Sequence, residues 1–338
     1  MLRTALAAAF GNLAFPAAGH GLHGFACPAL VCAAWLMAGV ALAQPTSTDD
    51  GATDSTTVGP VVVQGRSAQV QRTFEKAVAQ FLHDAGRPGP FGWISRWVRP
   101  VCPVTSGLTA AMNDFISSRI REVAARVGAP TAGDCSKDPD ILVLFTTEPD
   151  KLMADVRKHH EGLLGYHYVG QTKSLAAFEP PMKSWYVTST RIPGSDFVML
   201  DRAYAPGPPG GTGSRIPAPL QSRFVLALVV IDAKLVEGQA IGSVADRIAM
   251  LVLSKPASRT GCSALPSVMD FLNPQCPGSA VEELTRYDEA YLKALYTYQG
   301  DEMRSLERQS MGKAMVSQTS LPVAPPRPSP QAIKAQIP

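Results

Sequence analysis

Residues 243–254 read SVADRIAMLVLS, residues 261–276 read GCSALPSVMDFLNPQC, and residues 284–296 read LTRYDEAYLKALY. In the first stretch Ala245, Ile248, Ala249 and Val252 recur at spacings of three and four, which predicts a helix with one apolar stripe. Upstream, FVLALVVI (224–231) is the most apolar run of strand length, and it leads through Asp232 and Gly238 into that helix. A continuous apolar run of this length predicts a strand covered on both faces, central to a sheet.

The order of these segments resembles the second half of a metzincin, the secreted zinc-peptidase class. Ser267-Val268-Met269-Asp270-Phe271 is similar to the family's Met-turn, and Leu284-Thr285 through Asp288 to Leu295-Tyr296 is similar to its closing helix. Where the family's H-E-x-x-H zinc motif would stand, this chain has Ala245-Asp246-Arg247-Ile248-Ala249. A methyl group cannot hold zinc. The resemblance therefore implies a zincin-like mixed sheet packed against long helices, an α/β (α+β) fold with a helical C-terminal subdomain. It also implies a vestigial site at Ala245, Asp246, Ala249 and Met269, with no metal and no other cofactor. Asp246 falls where the general base glutamate would lie. Its expected role is at the start of its helix, opposing the positive dipole end. Met269 is expected to pack on the helix with Phe271 or Tyr287 nearby, and with no polar cluster between them.

Further out, strands and helices alternate. Residues 67–85 predict a first helix, with Val70, Phe74, Val78, Phe81 and Leu82 on one face, ended by Gly86 and Pro88. Trp93 to Val98 reads as a strand. A helix follows from about Leu108 to Val127, with Met112, Phe115, Ile116, Ile120, Val123 and Val127 expected inside. Ile141 to Phe145 predicts a buried strand, and Thr147 is placed to cap a helix from Pro149 to His160. Trp185 to Ile192 alternates as a strand should, Phe197 to Leu200 is another short candidate, and Val281 to Tyr298 is the last long helix. This alternation places helices over a sheet.

The ends of the chain carry different signals. Cys27 to Ala43 is apolar and closes on Ala41-Leu42-Ala43, a small-x-small cleavage site, so residues 1–43 read as an export signal. Residues 44–60 are too polar to order themselves, and with the short β-prone run Val61-Val62-Val63 they read as a disordered linker over 44–65. The expected domain runs from 66 to 312, and the Pro-rich stretch 313–338 reads as a tail. Removing the signal leaves Cys102, Cys135, Cys262 and Cys276. An even number in an exported chain predicts disulfides. Three pairings are possible, and Cys102–Cys135 with Cys262–Cys276 is favoured because each pair lies in one local segment.

Chemistry is sparse. The formal charge of +3 in 338 residues, without basic runs interleaved with aromatics, argues against nucleic acid. No later apolar run is long enough to predict stable membrane insertion after cleavage. The histidines of the expected mature chain are His83, His159, His160 and His167, and adjacent His159 and His160 cannot share a helix face. There is no G-x-S-x-G elbow, and the Gly207–Gly213 loop lacks the ending of a phosphate-binding loop. The reading that results is an exported, non-catalytic pseudo-peptidase of the periplasm or the extracellular space, with a binding or structural role in the cell envelope and an unknown protein or peptide as ligand. The alternative is a secreted hydrolase or metallopeptidase whose catalytic residues go unrecognised.

Overall fold

The computed structural model describes residues 68–89, 92–133, 135, 139–168, 170–191, 198–201, 220–257, 261–273, 275–276, 281, 283–298 and 304–319. The expected export signal, the 44–65 linker, the Gly/Pro loop of 205–219 and the stretch beyond 319 lie outside them.

The elements follow in the order α1 (Ala68–Ala85), β1 (Pro103–Ser106), α2 (Ala110–Val127), β2 (Ile141–Thr146), α3 (Pro149–His159), α4 (Thr172–Leu175), β3 (Met182–Arg191), β4 (Val198–Asp201) and β5 (Gln221–Asp232). Four helices complete the described chain: α5 (Ala233–Val236), α6 (Ile241–Ser254), α7 (Arg286–Thr297) and α8 (Arg304–Thr319). Two 3-10 turns, Glu161–Leu164 and Val268–Asp270, sit before α4 and before α7.

The five strands form one mixed sheet in the order β1-β2-β5-β3-β4. β1, β2 and β5 run parallel, β3 is antiparallel to β5, and β4 is antiparallel to β3. Strand alternation explains why helices cover both faces. Ile141, Val143 and Phe145 with Ala227, Val229 and Ile231 face a core shared with α1, α2, α6, α7 and α8. Leu142 with Leu226, Leu228 and Val230 faces a second core under α3, the Glu161–Leu164 turn and Ala176. β5 is the central strand, as its composition predicts. α7 and α8 contribute Tyr291, Leu292, Leu295, Met311 and Met315 to the first core.

Local signals explain most boundaries. Thr109 caps α2 by accepting from the Met112 N–H, and Gly128 closes it with φ of 84°. Thr285 and Asp288 form a capping box at α7, which therefore begins at Arg286 rather than near Val281. The N-cap of α3 is Glu148, not Thr147.

Other expectations fail. Trp93 to Val98 makes isolated bridges at Ile94 and Arg96 instead of a strand, because Trp93 to Trp97 are buried in succession and Arg96 meets only the start of β5. Met112 and Phe115 are exposed, since the buried stripe of α2 starts at Ile116 and the first turns stand beside a four-residue β1 too short to cover them. Val70 is exposed as well. The ordered chain also runs past 312: α8 continues to Thr319 because Met311 and Met315 are buried in the main core.

Candidate ligand-binding cleft

The positions that resemble a zinc site are occupied by packing. Ala245 and Ala249 are fully buried in the main core together with Ile248 and Val252. Asp246 is only 1% exposed, and its carboxylate is held from α2. Arg119 Nε donates to Oδ1 (2.6 Å) and Nη2 to Oδ2 (3.1 Å), while the Leu284 N–H donates to Oδ2 (3.0 Å). This corrects the helix-dipole role. The first turn of α6 contains no acidic residue, and a buried carboxylate gains more from a bidentate guanidinium than from a helix end.

Met269 lies in the Val268–Asp270 turn, which packs on α6, and its half-buried side chain packs against the main core, as do those of Phe271 and Tyr287. The turn is anchored by buried polar groups as well as by apolar packing. Asp288, fully buried, accepts from Ser267 Oγ (2.6 Å), the Val268 N–H (2.9 Å) and the Thr285 N–H (2.9 Å). Asp270 accepts from the Ser263 N–H and hydroxyl, both at 3.0 Å. The Cys262–Cys276 disulfide closes this segment, and Cys102–Cys135 joins the start of β1 to the approach to β2, with Cα–Cα distances of 5.5 and 5.0 Å.

The histidines do not converge. His83 pairs with Asp84 and His159 with Asp155, whereas His167 is buried, with Nδ1 donating to the Gly165 carbonyl (2.7 Å) and Nε2 3.1 Å from Glu161. Among the described residues no three His, Cys, Asp or Glu side chains group as metal ligands.

What the fold does build is a cleft of about 930 Å³ beside β3, bounded by the C-terminal ends of α1 and α6 and by the disulfide-closed segment. α6 presents Arg247, Leu251 and Lys255 to it, a stripe at i, i+4 and i+8 on one helix face. β3 contributes Ser184 and Tyr186. The Tyr186 hydroxyl donates to the Leu251 carbonyl (2.8 Å) and lies 2.8 Å from Ser184 Oγ. Burial raises the Tyr186 phenol far above its ordinary range, so it stays protonated. The carboxylates in the lining are engaged: Asp84 accepts from Gln80 (3.0 Å), and Glu179 from Lys183 (2.7 Å).

Two cations stand apart from that pairing. Lys255 closes α6 in the left-handed conformation, with φ of 57°. Its carbonyl accepts from the Arg87 N–H (2.9 Å), and the Ala257 N–H donates to the Asp84 carbonyl (2.8 Å), which ties the ends of α1 and α6 together. The Lys255 ammonium lies 5.9 Å from the centre of the Tyr186 ring. Burial, with Arg87 nearby, lowers its pKa to about 8, partly opposed by Asp201. Among the described residues, neither Lys255 nor Arg87 is in an ion pair. Asp201 is itself buried, accepting from Thr188 (2.6 Å) and Thr190 (3.0 Å), and burial raises its pKa.

No family model, no curated protein and no solved structure matches this chain. The cleft is therefore interpreted from its own chemistry. Sequence reasoning missed Arg87, Arg247 and Lys255. The signals were the i, i+4, i+8 spacing and a lysine where a glycine commonly ends a helix.

Proposed function

We propose that this chain is an exported, non-catalytic binding protein on a zincin-like scaffold, and that a protein segment or peptide occupies the cleft beside β3. One observation carries the reading: the face of α6 turned to the cleft offers Arg247, Leu251 and Lys255, cation–apolar–cation, while Ala245, Asp246 and Ala249 are turned into the core or to α2. Such a wall binds by charge and shape. The cleft carboxylates Asp84 and Glu179 already have partners, and burial keeps the Tyr186 phenol protonated near neutral pH. Export is supported by the two disulfides, which persist in oxidising compartments, and by the apolar run before residue 44. No helix among the described residues is long and apolar enough to cross a membrane.

Trp185 lines the cleft and serves as an intrinsic reporter. Purified mature protein is titrated with a panel of synthetic acidic, neutral and basic peptides while Trp fluorescence is followed, and each peptide is then weighed by mass spectrometry. Saturable binding of intact peptide, weakened by Arg247→Ala, is the expected result. Cleaved peptide would establish the hydrolase alternative. Binding unchanged in Arg247→Ala would move the site elsewhere.

A further inference from the structure

We propose that Lys255 and Arg87 form an oxyanion-binding subsite in this cleft, taking a carboxylate or phosphate group of the ligand; the inference rests on the cleft being a ligand site.

The geometry makes the pair a fixed feature. Residues 87 and 255 are joined by a backbone hydrogen bond, so their side chains start from adjacent points on the cleft wall. Arg247 stands two helical turns before Lys255 on the same face. Among the described residues no carboxylate is in an ion pair with Lys255, and Asp201 offsets its charge only in part. Tyr186 offers only a ring face and a protonated hydroxyl. Asp84 is held by Gln80, and Asp201 by Thr188 and Thr190, beyond ion-pair reach of Lys255. Arg87 beside the half-buried Lys255 disfavours the charged ammonium, and this repulsion is relieved when an anion arrives. Glycine is the residue that suits a left-handed helix end, yet this chain places a lysine there.

Anion binding raises the pKa of a neighbouring ammonium. The complex therefore takes up a proton, and affinity falls as pH rises through about 8.

Amine-selective reductive methylation of the mature protein near that pH, read by peptide mapping, tests the assignment with inorganic phosphate and acetate as probes and chloride at equal ionic strength as control. Phosphate or acetate should slow labelling of Lys255 several-fold while the solvent-facing Lys173 is unaffected. The protection should vanish in Arg87→Ala. Protection by phosphate alone points to a phosphorylated ligand, and protection by acetate points to a carboxylate. No protection, or equal protection by chloride, overturns the subsite. Lys255→Gly provides a control for folding: it should keep or raise Tm while losing phosphate-dependent changes in Trp fluorescence. A lowered Tm with those changes retained makes the lysine structural and overturns the proposal. Peptide binding without anion protection removes this subsite alone, whereas anion protection without peptide binding removes the peptide reading alone.

Discussion

Arg119 and Asp246, 127 residues apart in sequence, join α2 to α6 through a two-point ion pair in which the carboxylate is almost wholly buried. Asp246 holds the guanidinium in its charged form, and the pair also receives the Leu284 N–H just before α7. Two helices and the approach to a third thus share one buried charge. Arg119→Leu strands that carboxylate and should destabilise by about 3–5 kcal/mol. The double change Arg119→Leu with Asp246→Leu should recover most of the loss, because the desolvation cost disappears with the charge. A double-mutant cycle by urea denaturation measures both. If the double variant is as unstable as the single, the pair does more than neutralise itself.

Glu307 gives the attachment of α8 a pH dependence. Its buried carboxyl accepts from the Ile94 N–H (3.3 Å), and burial raises its pKa from 4.5 to about 7 against the pull of Arg96 and Arg308. The folded state then holds this proton more tightly than the unfolded state. Its contribution is complete below pH 4.5 and is lost as pH rises through about 7. The full excursion is worth about 3 kcal/mol at most. Glu307→Gln should therefore gain stability relative to the parent when pH is raised from about 5 to about 8. Paired denaturation curves at the two pH values provide the check, and an identical difference at both would refute it.

Most of the scaffold was legible because period decides element type. Phe224 to Ile231 announced the central strand, and Ile141 to Phe145 its parallel neighbour. Errors arose where burial depended on what lay opposite. Met112 and Phe115 carry the helical spacing of core residues, but only the sheet's short edge stands beneath them. The candidate site was less legible. Asp246 was read along its own helix, while its partner Arg119 comes from another part of the chain. Arg87 and Lys255 have no shared motif and become neighbours only when the ends of α1 and α6 meet. Sequence spacing cannot express that closure.

The Cys262–Cys276 disulfide spans 14 positions and closes the segment that carries Met269 and one wall of the cleft. Chain-entropy arguments assign such a loop about 3 kcal/mol. Cys262→Ser with Cys276→Ser should lower stability by that order and loosen the cleft wall. Amide exchange in residues 263–273 should speed up more than in β2 or β5. Equal acceleration throughout would mean the bond supports the whole core rather than this wall.

Gly165 approaches the Tyr186 carbonyl so closely that a Cβ would collide with backbone, and it does so at φ of 75° and ψ of −157°, a conformation nearly confined to glycine. In the β3–β5 ladder Asp232 donates to the Pro181 carbonyl, so by antiparallel alternation the polar groups of Tyr186 point away from β5. Gly165 covers that outward carbonyl and positions Tyr166 and His167 in the cleft. Gly128 is an internal control: it also has positive φ, 84°, but nothing lies within 4 Å of where its Cβ would stand. Gly128→Ala should cost about 1 kcal/mol from backbone strain alone. Gly165→Ala adds the collision and should cost at least about 2–3 kcal/mol. It should also shift Trp185 fluorescence, since Trp185 donates through Nε1 to the Leu175 carbonyl on the same side of the strand. Equal losses for the two variants would show that the turn yields to the added methyl group without moving the cleft wall.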